Sequence, residues 1–182
     1  SDLHILLLKL PAILCDIACG FLLYREAVKR LHFSELQGIF VSSAYLFQPA
    51  IILNSSCWGQ VDSVYTLMVI LMCLFLMEGN MLPAYAVYGL GILLKPQMLI
   101  FTPVLLAGIW DHVFLHDFSW RKFFYNLCGG LSVICGMFLL CAPFGLTAAI
   151  SQYTSTLGSY EYAAINAYNF WGLLGMNWID QN

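Results

Sequence analysis

The stretch "GLGILLKPQMLIFTP", Gly89 to Pro103, sets a lysine and a proline where the chain is most apolar. From Met81 to Trp110 the only charge is Lys95, and Pro96 follows it directly. Proline has no amide hydrogen to continue a helix, and it disfavours helical geometry at the residue before it. The stretch is therefore expected to form two short helices folded into a hairpin that breaks at Lys95-Pro96, rather than one long rod.

The rest of the chain sets the solvent in which this happens. It has 182 residues, 61% of them hydrophobic and 9% charged, with a mean hydropathy of +0.81. Soluble domains are about 45–50% apolar and about 25% charged, so an ordinary soluble domain is excluded. A membrane helix needs roughly 17 to 25 mostly apolar residues, fewer where it is short and shielded. Six apolar blocks meet that description: Leu3–Tyr24, Leu36–Leu53, Val61–Met77, Leu82–Leu94, Gln97–Trp110 and Phe123–Ala142. No stretch sustains the two-residue alternation of a membrane barrel. The expected fold is all-α, a polytopic transmembrane bundle of about six helices including the hairpin, with residues 1–182 as one integral membrane domain and 143–182 as an external loop segment. Membrane lipids are its expected surroundings, and no nucleic-acid partner is expected.

Positive residues orient the spans. Arg25, Lys29 and Arg30 follow the first block, and Arg121 and Lys122 precede the last. Both clusters belong in the cytoplasm, so an even number of crossings must separate them. One rod over 82–110 gives an odd number, whereas a break at Lys95-Pro96 makes it even. The loop "NSSCWGQVDS" then faces outside, Glu78-Gly79-Asn80 turns inside, and the hairpin tip at Lys95 reaches the outer side.

The sequence has no initiating Met and no signal-peptide charge cluster, and its first span enters from outside. A preceding helix and external loop are expected upstream of Ser1. Seven cysteines, mostly inside apolar blocks and none spaced Cys-x-x-Cys, read better as buried small hydrophobes than as disulfides or metal ligands.

An ionisable group within the membrane costs about 2.5 to 3.5 kcal/mol at a helix centre, which makes function the default reading of Lys95. A lysine snorkelling from a hairpin tip is the alternative. At that depth its compact charge suits a lipid phosphate. In the outer loop, Asp62 with Ser63 has the composition of a helix cap, and Trp58 that of an interface anchor. Together with Asn54, Ser55, Ser56 and Gln60, however, they combine an aromatic platform with hydrogen-bonding groups, as a sugar site requires. The tail over 151–178 repeats the mixture, with Asn166 and Asn169 beside Trp171. Asp16, with Lys9 seven positions earlier near the same helical face, reads either as an ion or proton relay or as groups satisfied by neighbouring helices. His112 and His116 stand four apart without a third ligand.

The segments "LKLPAILCDIACGFLLY", "LFQPAIILNSSCWGQVDSVYTL", "GLGILLKPQMLIFTPVLL" and "YEYAAINAYNFWGLLG" resemble, in order, the bacterial relatives of the second GPI mannosyltransferase, which are multispanning GT-C glycosyltransferases. The resemblance covers nearly the whole chain. It implies a GT-C-like fold with its active site at the external face, a polyprenyl-phosphate-linked sugar as donor, mannose as the expected sugar, and a glycan, lipid or protein as acceptor. It puts the catalytic carboxylate in the first external loop, which would precede Ser1. Lys95 would then stabilise the departing phosphate, and Asp62, Gln60 and Asn169 would bind sugar hydroxyls or orient the acceptor. The scheme requires no metal or other cofactor. A bacterial plasma membrane is the expected location, with the endoplasmic reticulum membrane as the alternative. The rival class is a secondary transporter or channel with a broken-helix site. Against it stands the presence of only one evident break, at Lys95-Pro96.

Overall fold

The computed structural model describes residues 2–115, 118–157 and 173–175. Among these, every regular element is helical: α1 (Asp2–Lys29), α2 (Glu35–Leu46), α3 (Pro49–Ile52), α4 (Asp62–Met77), α5 (Met81–Leu94), α6 (Thr102–Trp110), α7 (Trp120–Cys141) and α8 (Leu146–Leu157). Short π-helical turns at Leu53–Trp58 and Asp111–Leu115 extend α3 and α6, and a 3-10 turn at Pro96–Phe101 leads into α6. The chain divides into two compact units, Ser1–Ile134 and Cys135–Asn182. In the second, a 3-10 turn at Ala142–Phe144 and Gly145, at φ +82°, separate the end of α7 from α8.

Three helical stretches are long and apolar enough to cross a bilayer: Leu7–Lys29, Pro96–Leu115 and Trp120–Phe144. A bent pair, Glu35–Leu46 with Pro49–Trp58, makes a fourth if counted as one span. Their outer faces are apolar, with Leu14, Ile17 and Phe21 of α1 and Phe138 and Leu139 of α7 all more than half exposed. Water would be a poor solvent for such faces, and lipid a good one. The described residues are all-α, with three or four candidate membrane spans, as an integral membrane protein requires.

Two expectations need correction. The block Leu36–Leu53 is not one straight helix, because it bends by 49° at Gln48-Pro49. Gln48 is extended and Pro49 opens α3, where the missing amide costs nothing. Lys95-Pro96 is therefore not the only proline break, which removes the argument made from its uniqueness. Nor do all six blocks pass as spans by length, since α4 and α5 have 16 and 14 residues.

α5 stops at Leu94, and Lys95 adopts an extended conformation (φ −152°, ψ 114°) before the 3-10 turn opens on Pro96. Lys95 meets Asp62 at the start of α4. Gly108 packs on Leu76 near the end of α4, so close that an added Cβ would lie 2.8 Å from Leu76 Cδ2. The chain thus climbs along α5, reverses at Lys95-Pro96 and descends along α4. The core between these segments is built on Met72, Met81, Met98, Tyr85 and Leu105.

The two ends of the first unit differ in character, and α4 separates them by about 24 Å at 1.5 Å per residue. At one end Arg30 bonds Glu26 at 3.0 Å and approaches Glu78 at 4.0 Å. Glu78 shares a cavity with Asp111, His112 and Lys122. Residues from both basic clusters therefore gather at the same end. Near it, the exposed rings of Trp110, Phe114, Phe118 and Trp120 pack in series, with centroids 4.5 to 5.6 Å apart. The other end carries Lys95, Asp62 and Lys9.

α2 begins with a capping box, in which Ser34 Oγ accepts from the Gln37 amide and Gln37 Oε1 accepts from the Ser34 amide. It lies against α1 through the buried Gly38, where an added Cβ would lie 2.6 Å from Val28 Cγ2 and 3.0 Å from the Tyr24 ring. Gly38→Val is expected to lower stability by about 1–3 kcal/mol through overpacking, read as a lower midpoint of thermal unfolding in detergent.

Candidate functional site

Asp62 opens α4, and its backbone carbonyl accepts from the Thr66 hydroxyl at 2.9 Å. The residue preceding the helix is Val61, and no side chain caps it. Asp62 and Ser63 are therefore not a cap: the Asp62 carboxylate turns to the Lys95 ammonium, and Ser63 turns into the protein. Lys95 Nζ also lies 5.8 Å from the centroid of the Tyr65 ring, within cation–π reach. The Tyr65 hydroxyl donates to the Gln97 carbonyl at 3.3 Å, which ties the ring to the turn after the break. The Lys95 and Asp62 side chains are 30% and 36% exposed. The pair is therefore open to its surroundings at this end of the bundle.

Trp58 and Gln60 stand exposed in the same loop, just ahead of Asp62. Their placement follows from the end of the π-helical turn. Gly59 takes the left-handed conformation, φ +68°, and the amides of Gly59 and Gln60 both bond the Asn54 carbonyl. Lys9 closes this end from outside the segment, with Nζ donating to the carbonyls of Ser56 at 2.7 Å and Cys57 at 3.0 Å. A cation on the last free carbonyls of a helical turn is favourably placed. Lys9 is accounted for by that role.

Of the sugar-binding candidates, the structure brings Asp62 and Lys95 into contact and sets Trp58 and Gln60 in the same short loop as Asp62. Ser55 departs from the expectation, because it is buried and bonds Asp16 instead of facing the loop surface. Asn166, Asn169 and Trp171 lie outside the described residues, as does His116.

Two further polar groupings have members that no motif in the sequence connects, although satisfaction by neighbouring helices is one of the two readings expected of Asp16. Asp16, Tyr45, Ser55 and Ser63 meet inside the first unit; the lone intramembrane acid was its only signal. At the Arg30 end, buried Asn126 accepts from the Tyr85 hydroxyl and donates to His112 Nδ1 at 3.0 Å and to the Lys122 carbonyl at 2.7 Å. Among the described residues, no group of three or more His, Cys, Asp or Glu is placed to hold a metal ion. Comparison of the chain with protein-family models, curated proteins and solved structures gives no match.

Gly59 combines a left-handed backbone with a close approach, since an added Cβ would lie 3.0 Å from Lys9 Cγ. Gly59→Ala is expected to cost about 1–2 kcal/mol from the backbone conformation, plus displacement of Lys9. The check is a lowered unfolding midpoint together with altered labelling of the adjacent Cys57 thiol.

Proposed function

We propose that the protein is an integral membrane glycosyltransferase with a GT-C-like fold, a mannosyltransferase by its resemblance, which moves a sugar from a polyprenyl-phosphate donor to a glycan, lipid or protein acceptor at the extracytoplasmic face. The observation that carries this reading is the reachable Lys95 ammonium, held by Asp62 and Tyr65 at the end of the bundle opposite the basic clusters. If the Arg30 end is cytoplasmic, as its positive residues argue, Lys95 faces the side where a lipid-linked sugar would be met. The membrane is a bacterial plasma membrane in this reading, with the endoplasmic reticulum as the alternative.

In the proposed reaction the acceptor hydroxyl attacks the anomeric carbon and passes its proton to a carboxylate base. The bond from that carbon to the phosphate oxygen breaks, and polyprenyl phosphate leaves with inversion. Negative charge grows on the leaving oxygen, where Lys95 stabilises it electrostatically. Trp58 supplies a ring face to the sugar, and Gln60 and Asp62 bind its hydroxyls or orient the acceptor, a role that the resemblance gives to Asn169 as well. The second reading is a secondary transporter or channel. It gains from the 49° break at Gln48-Pro49, which adds a second interrupted segment.

Lys95→Met is expected to reduce sugar transfer from a radiolabelled polyprenyl-phosphate donor about 100-fold, in line with the loss of one electrostatic stabiliser. Lys95→Arg should restore part of it, and membrane insertion should be unaffected. Equal transfer by the methionine variant would remove Lys95 from the mechanism.

Sidedness has its own test. A thiol introduced at Ser56 should react with a membrane-impermeant reagent from outside, and one at Gly79 only after the membrane is opened. The reverse pattern would move the proposed site to the cytoplasm.

A further inference from the structure

At the Arg30 end of the first unit, the end of α4, the turn after α6 and the start of α7 border a cavity of about 270 Å³. Leu76, Met77 and Met81 give it an apolar wall, while Glu78, Asp111, His112 and Lys122 bring charged and polar groups to the same space. Cavities that take drug-sized ligands hold roughly 300–1,000 Å³, so this one suits a smaller polar group.

Glu78 is already engaged. One of its oxygens faces Arg30 at 4.0 Å, and the other accepts from the Asn80 side-chain amide at 3.1 Å. Lys122 and Asp111 are not engaged: among the described residues no group bonds the Lys122 ammonium or the Asp111 carboxylate, and the two do not pair with each other. One cation and one anion therefore stand unpaired around a single cavity.

Hydrogen bonding sets a third group. The side-chain nitrogen of buried Asn126 donates to the Lys122 carbonyl, which can only accept, so the same nitrogen donates to His112 Nδ1 as well. The Tyr85 hydroxyl donates to Asn126 Oδ1 and holds that orientation. With Nδ1 accepting, the ring hydrogen of His112 sits on Nε2, a donor without a partner among the described residues.

We propose that this cavity binds the phosphoethanolamine headgroup of a bilayer phospholipid, with the Lys122 ammonium and the His112 Nε2 hydrogen on its phosphate and the Asp111 carboxylate on its primary ammonium. A zwitterion brings one charge of each sign, which is what the two unpaired groups call for. An anionic headgroup would set negative charge against Asp111 and Glu78. A choline headgroup has no N–H to donate to a carboxylate, and quaternary ammonium groups are held by aromatic cages, whereas no Phe, Tyr or Trp lines this cavity. The membrane is the source because of depth. Asp111 and His112 lie between Trp110 and Phe114, the first two rings of the exposed aromatic row, and such rings gather at the level of the lipid headgroups. The site is at the opposite end from the Lys95–Asp62 pair and does not depend on the glycosyltransferase reading. A headgroup held there bridges the start of α7 to the ends of α4 and α6.

The test is thermal unfolding of the delipidated full chain in detergent. Phosphatidylethanolamine, phosphatidylcholine or phosphatidylglycerol of identical acyl chains is added stepwise, with soluble phosphoethanolamine as a parallel series. Phosphatidylethanolamine is expected to raise the unfolding midpoint saturably, equivalent to about a 100-fold shift of the folding equilibrium when it exceeds its Kd 100-fold. It should bind at least about tenfold more tightly than the other two lipids, the scale of one lost charged hydrogen bond, and the soluble headgroup should stabilise far less. Asp111→Asn and Lys122→Gln should each abolish the preference, and Lys122→Arg, which keeps the charge, should retain it. The wild-type comparison decides the matter even if a variant fails to fold. Equal stabilisation by the three lipids would overturn the proposal, as would a preference that survives intact in both Asp111→Asn and Lys122→Gln. Soluble phosphoethanolamine acting as strongly as the lipid would overturn the assignment to a membrane ligand.

Discussion

The contact between the Lys95 ammonium and the Asp62 carboxylate lets an apolar chain reverse at its most hydrophobic point. Pro96 ends α5 by local sterics, but sterics alone would leave a cation among lipid tails. Asp62 supplies the opposite charge from the first turn of α4, where the helix dipole already favours an anion. The pair therefore fixes the level at which the break occurs relative to α4. Once that level is set, Met98 falls into the core between α5 and α4, and Gly108 reaches Leu76.

The other proline break follows the same logic with different chemistry. Within hydrocarbon, non-helical backbone is tolerated only where protein covers it or water reaches it. After Gln48-Pro49 the chain makes one α-helical turn and a π-helical turn, and one of its polar side chains, Ser55, is buried against Asp16 and Ser63. At its far end, Lys9 takes two of the carbonyls left over. One break thus lies beside a partly exposed ion pair, and the other above a buried cluster of oxygens. The membrane-spanning fold is interrupted where polar groups are available to meet the interruption.

The membrane character, the all-helical class and the reversal at Lys95 were legible because each rests on a local signal: composition, the absence of alternation, and a proline after a charge. The Gln48-Pro49 bend has the proline without the charge, and the apolar residues that continue on both sides hide it from a hydropathy profile. The partners of the polar residues were not legible at all. Nothing near Asp62 in sequence indicates that its carboxylate turns to Lys95 instead of capping α4, since the two are 33 positions apart. Ser55 looked like its neighbours in the loop and differs from them only through Asp16, 39 positions away. Such pairings are set by how helices stack, and a single sequence does not encode them in any periodicity.

Among the described residues, the largest fully buried side chains are Met72, Met81 and Met98, all in the core around the α4–α5 pair. Thioether chains have no branch at Cβ and rotate about three bonds, so they follow a neighbouring backbone as it shifts without opening a void. The 3-10 turn from Pro96 to Phe101 rests on this pliant bed through Met98. Any small rocking of the turn about its ion pair would therefore be absorbed by rotamer changes below it. A lining of branched aliphatic residues would resist the same movement and hold the turn in a single pose.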